Sequence, residues 1–576
     1  MLKIRNEYPR PHFRRDNWLS LNGMWEFEFD DTKNGEARGL YTGNIKLERE
    51  INVPFSYQYP DSGIGESEQH DTLWYRRTFE LDGEQGVILG FNASDYVTTV
   101  WVNGIFATSH RGGFTPFTVD ITRLVKKGEN VIVVKCYDPY DPTVPRGKQS
   151  WKKENWGCWY TPNSGIWQSV WLDFVGEDSI EDFSIIPDID TKSFFGEIKL
   201  RDAIADLIEL KVFYDGRLVK KQSFSPDGKY TRYSVRMMEL DFVDEISYWT
   251  PERPNLYYVD ISLYREGVLL DTVHTRFGMR KISTVADKIL LNNKPLYQRL
   301  VLDQGYWRTS GLTAPSVDAI KRDIELTKEM GFNGARKHQK LEDPYYYYLA
   351  DELGLLTWCE MPSAYNFNSD EVAYLTAEWQ EVVGVAKKFT SVVTYVPLNE
   401  SWGVRKLYSS REQQSFARSL YHLTKSLDPS RLVSINDGWE NLAESDILAI
   451  HDYESLGCEL KDRYNESTYT DGSMGVRNIY VDSDCYRGQP VLFTEFGGIM
   501  LARDQADGNW GYKSAAKDDE EFFARLGELV DGIHAADFKG FCYTQLTDVQ
   551  QEMNGLLDSD HNPKVDIDRV RSIIES

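Results

Sequence analysis

The sequence predicts a multidomain chain, all-β in its first half and α/β in its second. It divides into an N-terminal jelly-roll β-sandwich over residues 1–178, an immunoglobulin-like β-sandwich over 179–280 and a C-terminal (β/α)8 TIM barrel over 281–576. Three observations carry that reading. A single core stops growing at about 250–300 residues, so a chain of 576 must be subdivided. Short β-branched and aromatic runs between Gly, Asn and Asp turns fill the chain up to about residue 280. Beyond that point such runs alternate with stretches of helical periodicity.

In the first part, "MWEFEF", "LWYRRTFEL", "GVILGF", "YVTTVWVNGIF" and "NVIVVKCY" read as strands, and many short strands with little helix fit a sandwich or jelly roll. In the second, "GEIKLRDA", "LIELKVFYDGRLVKK" and "LYYVDISLYREGVLLDTV" continue in β over roughly the hundred residues typical of an immunoglobulin-like sandwich. The third part opens on "SVDAIKRDIELTKEMG", whose Val317, Ile320, Ile324 and Met330 form a helical stripe with Ser316 as N-cap and Gly331 as stop. "FNGARKH", "LLTWCEMP", the run 392–398, "RLVSIN", "DILAIH", "PVLFTEFG" and "KGFCYTQL" then read as strands. Helices fall at "PYYYYLADELG" and around 371–389, 412–427 and 518–536. Alternation sustained this long predicts a barrel.

Composition narrows the function. A formal charge of −25 argues against a nucleic-acid partner, and the sequence has no apolar run long enough to span a membrane. The basic N-terminal stretch has no apolar segment behind it, so it does not read as a secretory signal. Six scattered cysteines form no C-x-x-C pair and no zinc spacing, which suits free thiols in the cytoplasm. No cofactor and no metal is expected, and a homo-oligomer is left open. The excess lies in 16 Trp and 34 Tyr, side chains that a carbohydrate cleft uses to stack on sugar C–H faces.

Barrel enzymes carry their chemistry at the C-terminal ends of strands. Here those ends read Asp303-Gln304, Arg336-Lys337-His338, Glu360, Asn399-Glu400, Asn436-Asp437, His451-Asp452-Tyr453, Glu495 and Thr544-Gln545. Glu400 and Glu495 each end an apolar strand and are followed by glycine, so they are the candidate catalytic pair. Two carboxylates about 5–5.5 Å apart suit a retaining glycosidase, in which one attacks the anomeric carbon while the other handles protons. The two roles require different pKa values, one group protonated and the other ionised. Asn399 is placed to meet the sugar 2-hydroxyl. Asp303, Gln304, Arg336, His338, Asn436, Asp437, His451, Tyr453 and Gln545 complete a candidate sugar site, with Trp307, Trp402 and Trp439 as candidate walls. Glu360 reads as a charge partner for Arg336 or a loop. His338 and His451 fit no metal-ligand spacing and read as sugar contacts or satisfied structural groups.

The domain order and five motifs resemble glycoside hydrolase family 2, the group of β-galactosidases, β-glucuronidases and β-mannosidases. "VWVNGIFATSHRGGFTPFTVDIT" and "NSGIWQSVWLD" are similar to its sugar-binding domain, and "MGFNGARKHQKLEDPYYYYLADELGLLTWCEMP" to its barrel from strand two to strand three. "PLNES" and "VLFTEFGG" resemble its acid/base and nucleophile motifs. The resemblance implies Glu400 as acid/base, Glu495 as nucleophile, Asn399 as 2-hydroxyl ligand, Arg336 as a support for the nucleophile and Tyr453 as its neighbour. The chain departs from the family pattern in three places. "RLVLDQGYW" replaces the usual run containing His and Glu, Thr544 stands where a Trp is usual, and Asn554 is followed by Gly and Leu instead of completing the Asn-x-Lys pair that binds a uronate.

The reading is therefore an exo-acting, retaining glycosidase that removes a terminal non-reducing sugar from a small carbohydrate. It is β-galactosidase-like, or a furanosidase acting on β-galactofuranosides or α-L-arabinofuranosides. The alternatives are a carbohydrate-binding protein that keeps the fold without the reaction, and a metal-dependent hydrolase on the same barrel.

Overall fold

The computed structural model describes residues 4–83, 86–238, 246–465, 468–469 and 477–576. In the first domain, a six-stranded antiparallel sheet runs in the order Arg49–Val53, Gly23–Phe29, Thr72–Leu81, Gly128–Tyr137, Val97–Val102, Ile105–Arg111. It faces a four-stranded sheet in the order Trp18–Ser20, Val170–Val175, Gly86–Phe91, Phe117–Asp120. Alternate side chains point inward, and Trp25, Phe27, Tyr75, Leu89, Val134 and Leu172 fill the space between the sheets. Between Tyr137 and Gly165 the chain leaves the sandwich as a long strandless insert. A connection of that length is usually functional, and this one crosses to the barrel.

The second domain is a smaller sandwich of two four-stranded sheets. The strand Tyr230–Arg236 alternates strictly between exposed and buried positions, the pattern of a sheet with one wet face. Phe194, Ile198, Leu210, Val259 and Ile261 form its core. All six cysteines are free thiols, so no disulfide staples this sandwich.

The barrel strands are β1 Gln298–Asp303, β2 Gly334–Lys337, β3 Leu356–Glu360, β4 Val392–Val396, β5 Leu432–Val433, β6 Leu448–His451, β7 Val491–Gly497 and β8 Gly540–Thr544. They form one parallel sheet in the order β5-β4-β3-β2-β1-β8-β7-β6. Beyond β4 and β5 the chain pairs again, Leu398–Asn399 beside Asn436–Asp437, which carries the parallel ladder up to the mouth. The helices are α1 Val317–Glu329, α2 Pro344–Leu353, α3 Ser369–Ala386, α4 Arg411–Leu427, α5 Gly457–Arg463, α6 Asp519–Ala535 and α7 Ile567–Ile574. The Ser316 side chain caps α1 by accepting from the Ala319 amide, and Gly331, at a φ of +87°, follows its end. A left-handed residue closes a helix most cheaply as glycine.

Elements outside the barrel close its floor and cover one side. At the bottom, the short hairpin Ile282–Val285 and Lys288–Leu291 brings Ile282, Ile289 and Leu291 into one cluster with Trp249, Leu300, Trp358 and Val393. The Trp358 indole inside this cluster donates to Gln298 Oε1 at 2.8 Å. On the side, Phe114, Tyr160 and Trp167 of the first domain belong to the same apolar core as the barrel helices. The sandwich is thus fused to the barrel through a shared core.

Trp358 is fully buried. Trp358→Ala removes that packing and leaves Gln298 without its donor, a loss of about 3–5 kcal/mol. The variant is expected to unfold several degrees below the wild type in a thermal melt. An unchanged midpoint would show that the barrel floor does not depend on this side chain.

Candidate active site

The mouth is organised around Arg336, whose side chain is wholly buried at the top of β2. Its Nε donates to Glu360 Oε2 at 2.8 Å, Nη2 to Asn399 Oδ1 at 2.6 Å, and Nη1 to Glu495 Oε1 at 3.0 Å. Nη1 also lies 3.1 Å from Asp437 Oδ1. One planar fork therefore ties the ends of β3, the β4 extension, the β5 extension and β7 to a single point. A guanidinium suits this because it stays charged and its donors diverge in fixed directions. Glu360 thus braces Arg336; burial pushes its carboxyl up to about 7 against the opposing guanidinium charge.

The two candidate carboxylates meet across this fork. Glu400 and Glu495 each present an oxygen within 4.8 Å of the other and of a His451 nitrogen. Glu495 Oε2 accepts from the Tyr453 hydroxyl at 2.5 Å, and that hydroxyl lies 3.1 Å from Thr544 Oγ1. Glu400 occupies a left-handed turn, with φ of 51° at Glu400 and 54° at Ser401. Two consecutive left-handed non-glycine residues cost on the order of 1–3 kcal/mol each, and the surrounding bonds hold them in place. The Glu400 amide donates to Asp437 O, the Ser401 amide to Asn436 Oδ1, and the Ser401 hydroxyl to Glu440 Oε2.

His451, at the end of β6, is sealed between the two sides. Its Nδ1 faces Glu400 Oε1 at 2.9 Å and Glu495 Oε2 at 3.5 Å, and its Nε2 faces Asp437 Oδ1 at 2.8 Å. Burial alone would lower its pKa, but Glu495, Asp437 and Glu400 together raise it to about 9, so the ring is an imidazolium donating from both nitrogens. Glu400 feels the reverse: burial works to raise it, yet the His451 bond, with Lys148 and Arg336 behind it, brings its pKa below the usual value. Asp437 is held well below the carboxylate range, against burial, by Arg336 and His451. Of the two uses open to His451, the structure favours the structural one, a brace with both nitrogens engaged, and it holds Glu400 directly beside that brace. Glu400, His451 and Glu495 also form a donor set compact enough for a cation.

The remaining candidates divide by position. Asn399 keeps its Nδ2 buried and without a partner beside both carboxylates, a donor that a sugar hydroxyl would satisfy. Trp402 donates from Nε1 to Glu400 Oε2 at 3.3 Å. Gln304 donates to the Tyr160 hydroxyl at 2.8 Å and to Gln545 Oε1 at 2.7 Å, and Gln545 donates to Asn554 Oδ1. His338 sits against Glu360 at 3.2 Å, and burial, together with Lys148 and Arg336, keeps it neutral. Four of the expected sugar contacts are turned elsewhere. Asp303 binds Lys337 at 2.6 Å and the Gly305 amide. Asn436 supports the Glu400 turn, Asp437 pairs with His451 and Arg336, and Trp307 stacks on His561 at 3.8 Å. Polar residues at a barrel mouth serve each other as often as they serve a ligand, and spacing alone does not separate the two uses.

Residues outside the strand ends complete the wall. From the insert between Tyr137 and Gly165 come Lys148, Trp159 and Tyr160. The Tyr160 hydroxyl donates to Glu552 Oε2 at 2.5 Å, and Trp159 packs edge-on against Trp402 at 5.0 Å. Gly147, at a φ of +60°, lets the insert pass over Gln339, whose carbonyl oxygen would lie 2.4 Å from any Cβ there. Tyr512 stacks face to face on Tyr453 at 3.4 Å, in the space that a Cβ on Gly498 would fill. The density of Trp and Lys in "KQSWKKENWGCWYTP" was the available signal for the insert; its target on the barrel was not readable.

Family models match almost the whole chain. Residues 18–173 match the sugar binding domain of glycosyl hydrolases family 2, residues 179–280 a second domain of that family, and residues 282–576 its TIM barrel domain. The chain belongs to glycosyl hydrolases family 2. Among curated members it is similar to a putative beta-glucuronidase from Formosa agariphila, 24% identical over 412 residues, covering 69% of this chain and 49% of that one. It is also similar to a beta-galactosidase from Thermoanaerobacter pseudethanolicus, 26% identical over 445 residues, covering 72% and 54%. The chain thus spans about half the length of these two relatives. Among solved structures, the beta-glucuronidase of Ruminococcus gnavus superposes over 100% of both chains with a TM-score of 0.78 at 19% identity. At that identity the likeness shows the family 2 fold.

A folded-state pKa raised from 6.5 to about 9 means that His451 contributes stability fully below about pH 6.5, and that this contribution is lost as pH rises through 9. The unfolding temperature is expected to fall between pH 7 and pH 10, and His451→Asn should flatten that fall. Parallel pH profiles for the two proteins would rule out the imidazolium.

Proposed function

We propose that this chain is an exo-acting, retaining glycosidase that removes a terminal non-reducing sugar by double displacement. The observation that carries the reading is the approach of Glu400 and Glu495 to within 4.8 Å about a common centre. That separation leaves room for a sugar carbon between the carboxylates but not for an intervening water, as inversion would require. Glu495 is the nucleophile. Its Oε1 is fixed by Arg336 and its Oε2 by Tyr453, which together aim the carboxylate at the anomeric carbon. Glu400 is the acid/base. As the C–O bond breaks, the leaving oxygen takes a proton from the Glu400–His451 pair, and in the second half-reaction Glu400 accepts one from the attacking water. Asn399 Nδ2 binds the 2-hydroxyl, a contact that strengthens as the oxocarbenium-like transition state forms.

The exo mode is supported by the insert, whose Trp159 and Tyr160 pack on Trp402 and Glu552 and wall one side of the mouth. For the ring form, the short Thr544 side chain beside Tyr453 supports testing furanosides alongside pyranosides, including β-galactofuranosides and α-L-arabinofuranosides.

The test is a panel of para-nitrophenyl pyranosides and furanosides with wild type and two variants. Glu495→Ala is expected to abolish turnover. Glu400→Ala should lose about 10²–10⁴-fold on substrates with poor leaving groups and recover with azide, giving a glycosyl azide of retained configuration. Full activity in Glu495→Ala, or an inverted product, would overturn the assignment.

A further inference from the structure

Away from the mouth, the three domains meet around a cavity of about 240 Å³. Arg10 and His12 reach it from the segment ahead of the first sandwich, Thr118 and Gln168 from the sandwich itself, Asp182 from the second domain and Lys388 from the stretch after α3. Neither Glu400, Glu495 nor any group held by Arg336 lines it. A second cavity of about 230 Å³ shares Arg10, Thr118 and Glu181 with the first, so Arg10 stands between the two.

The polar groups on this wall are unequally satisfied. Its carboxylates have partners: Asp182 pairs with Lys388 at 2.8 Å, Glu342 with Lys337 and Lys340 at 2.8 Å, Glu381 with His110 at 3.1 Å, and Glu181 with Lys199. The Arg10 guanidinium lies over the Phe13 ring at 4.0 Å and, among the described residues, meets no carboxylate within salt-bridge distance. Gln168 is 5% exposed, and its side-chain amide makes no hydrogen bond among the described residues. His12 is 6% exposed and packs on Phe389 at 4.7 Å, with no hydrogen-bond partner on either nitrogen among the described residues. Burial, reinforced by Arg10 and Lys388, holds its pKa well below the usual value, so the ring is neutral and keeps one donor and one acceptor. Asn92 Oδ1 is also buried without a partner. Buried polar groups are normally paired, so a wall with these free groups beside an unpaired cation suits a polar, anionic ligand.

We propose that this three-domain cavity is a binding site for a monosaccharide-sized polyhydroxy carboxylate, separate from the proposed active site. The carboxylate accepts from the Arg10 fork, a geometry that guanidinium favours. Hydroxyl groups, each donor and acceptor, pair with the Gln168 amide and the His12 ring. An apolar cavity of about 150 Å³ holds one benzene, so this one takes a single sugar-sized molecule. A neutral polyol leaves Arg10 unpaired, and a dicarboxylate sets its second charge against Asp182 and Glu381. Because every domain contributes to the wall, occupancy stabilises the folded chain as a whole.

Titration calorimetry of the full chain with D-gluconate and D-galactonate tests this. At least one acid should bind once per chain with a Kd of about 1 mM or tighter. The matching neutral hexitol should bind about tenfold more weakly or worse. Arg10→Gln should weaken the acid about tenfold or more and erase its advantage over the hexitol. Gln168→Leu, which removes only the unpaired amide, should weaken binding severalfold while melting no lower than wild type. Glu495→Ala should bind the acid as wild type does. No heat from either acid at about 20 mM would overturn the proposal, as would equal binding of the hexitol. Binding lost in Glu495→Ala but kept in Arg10→Gln and Gln168→Leu would place the acid at the mouth and overturn it too. If Arg10→Gln fails to fold, Gln168→Leu decides, and an unchanged affinity there counts against the site. None of these results bears on the glycosidase reading, which the aryl glycoside panel tests separately.

Discussion

One buried guanidinium holds the site together. Among the described residues, Arg336 alone touches Glu360, Asn399, Asp437 and Glu495 at once, and these side chains come from four different stretches of the barrel rim. Removing one partner of a buried charge network typically costs about 3–5 kcal/mol, because the remaining charges stay desolvated. Here the network also fixes distances. The gap between Glu400 and Glu495 follows from where Arg336 places β7 and the β4 extension, with His451 filling the space between them. Lysine, a point charge without a planar fork, would keep the charge but lose the geometry.

The arrangement joins stability to chemistry. Glu495 is bonded on both oxygens, one to Arg336 and one to Tyr453, so little rotational freedom remains to be lost on binding. Glu400 is held from behind by an imidazolium and sits on a backbone turn that is unfavourable by itself. Such a turn survives only where the surroundings over-determine it, and Asn436, Asp437 and Glu440 supply those bonds.

Much of this was legible in the sequence, for reasons that can be named. The switch from strand-only patterning to alternation near residue 280 is a matter of local periodicity, and the polar ends of the barrel strands follow from the fold class. The Glu400 and Glu495 motifs are local as well. What sequence could not supply was direction. Asp303, Asn436, Asp437 and Trp307 stand at strand ends as anticipated, yet they pair with Lys337, Ser401, His451 and His561. His451 looked like one more mouth residue, and only the distances to Glu400 and Asp437 turn it into a charged brace. Lys148 and Tyr160 were hidden for a different reason. They lie more than 120 residues before the barrel begins, and no pattern within the insert announces where it docks.

The shared core of the sandwich and barrel has a consequence for how such a molecule diversifies. The groups proposed to break bonds all belong to one domain, while the face that greets the ligand is borrowed from its neighbour. Exchange of a single surface excursion, residues 138–164, would recut the keyhole and leave the lock's mechanism intact. A lineage built on this plan can alter that face by editing a stretch of chain that lies outside the barrel strands themselves.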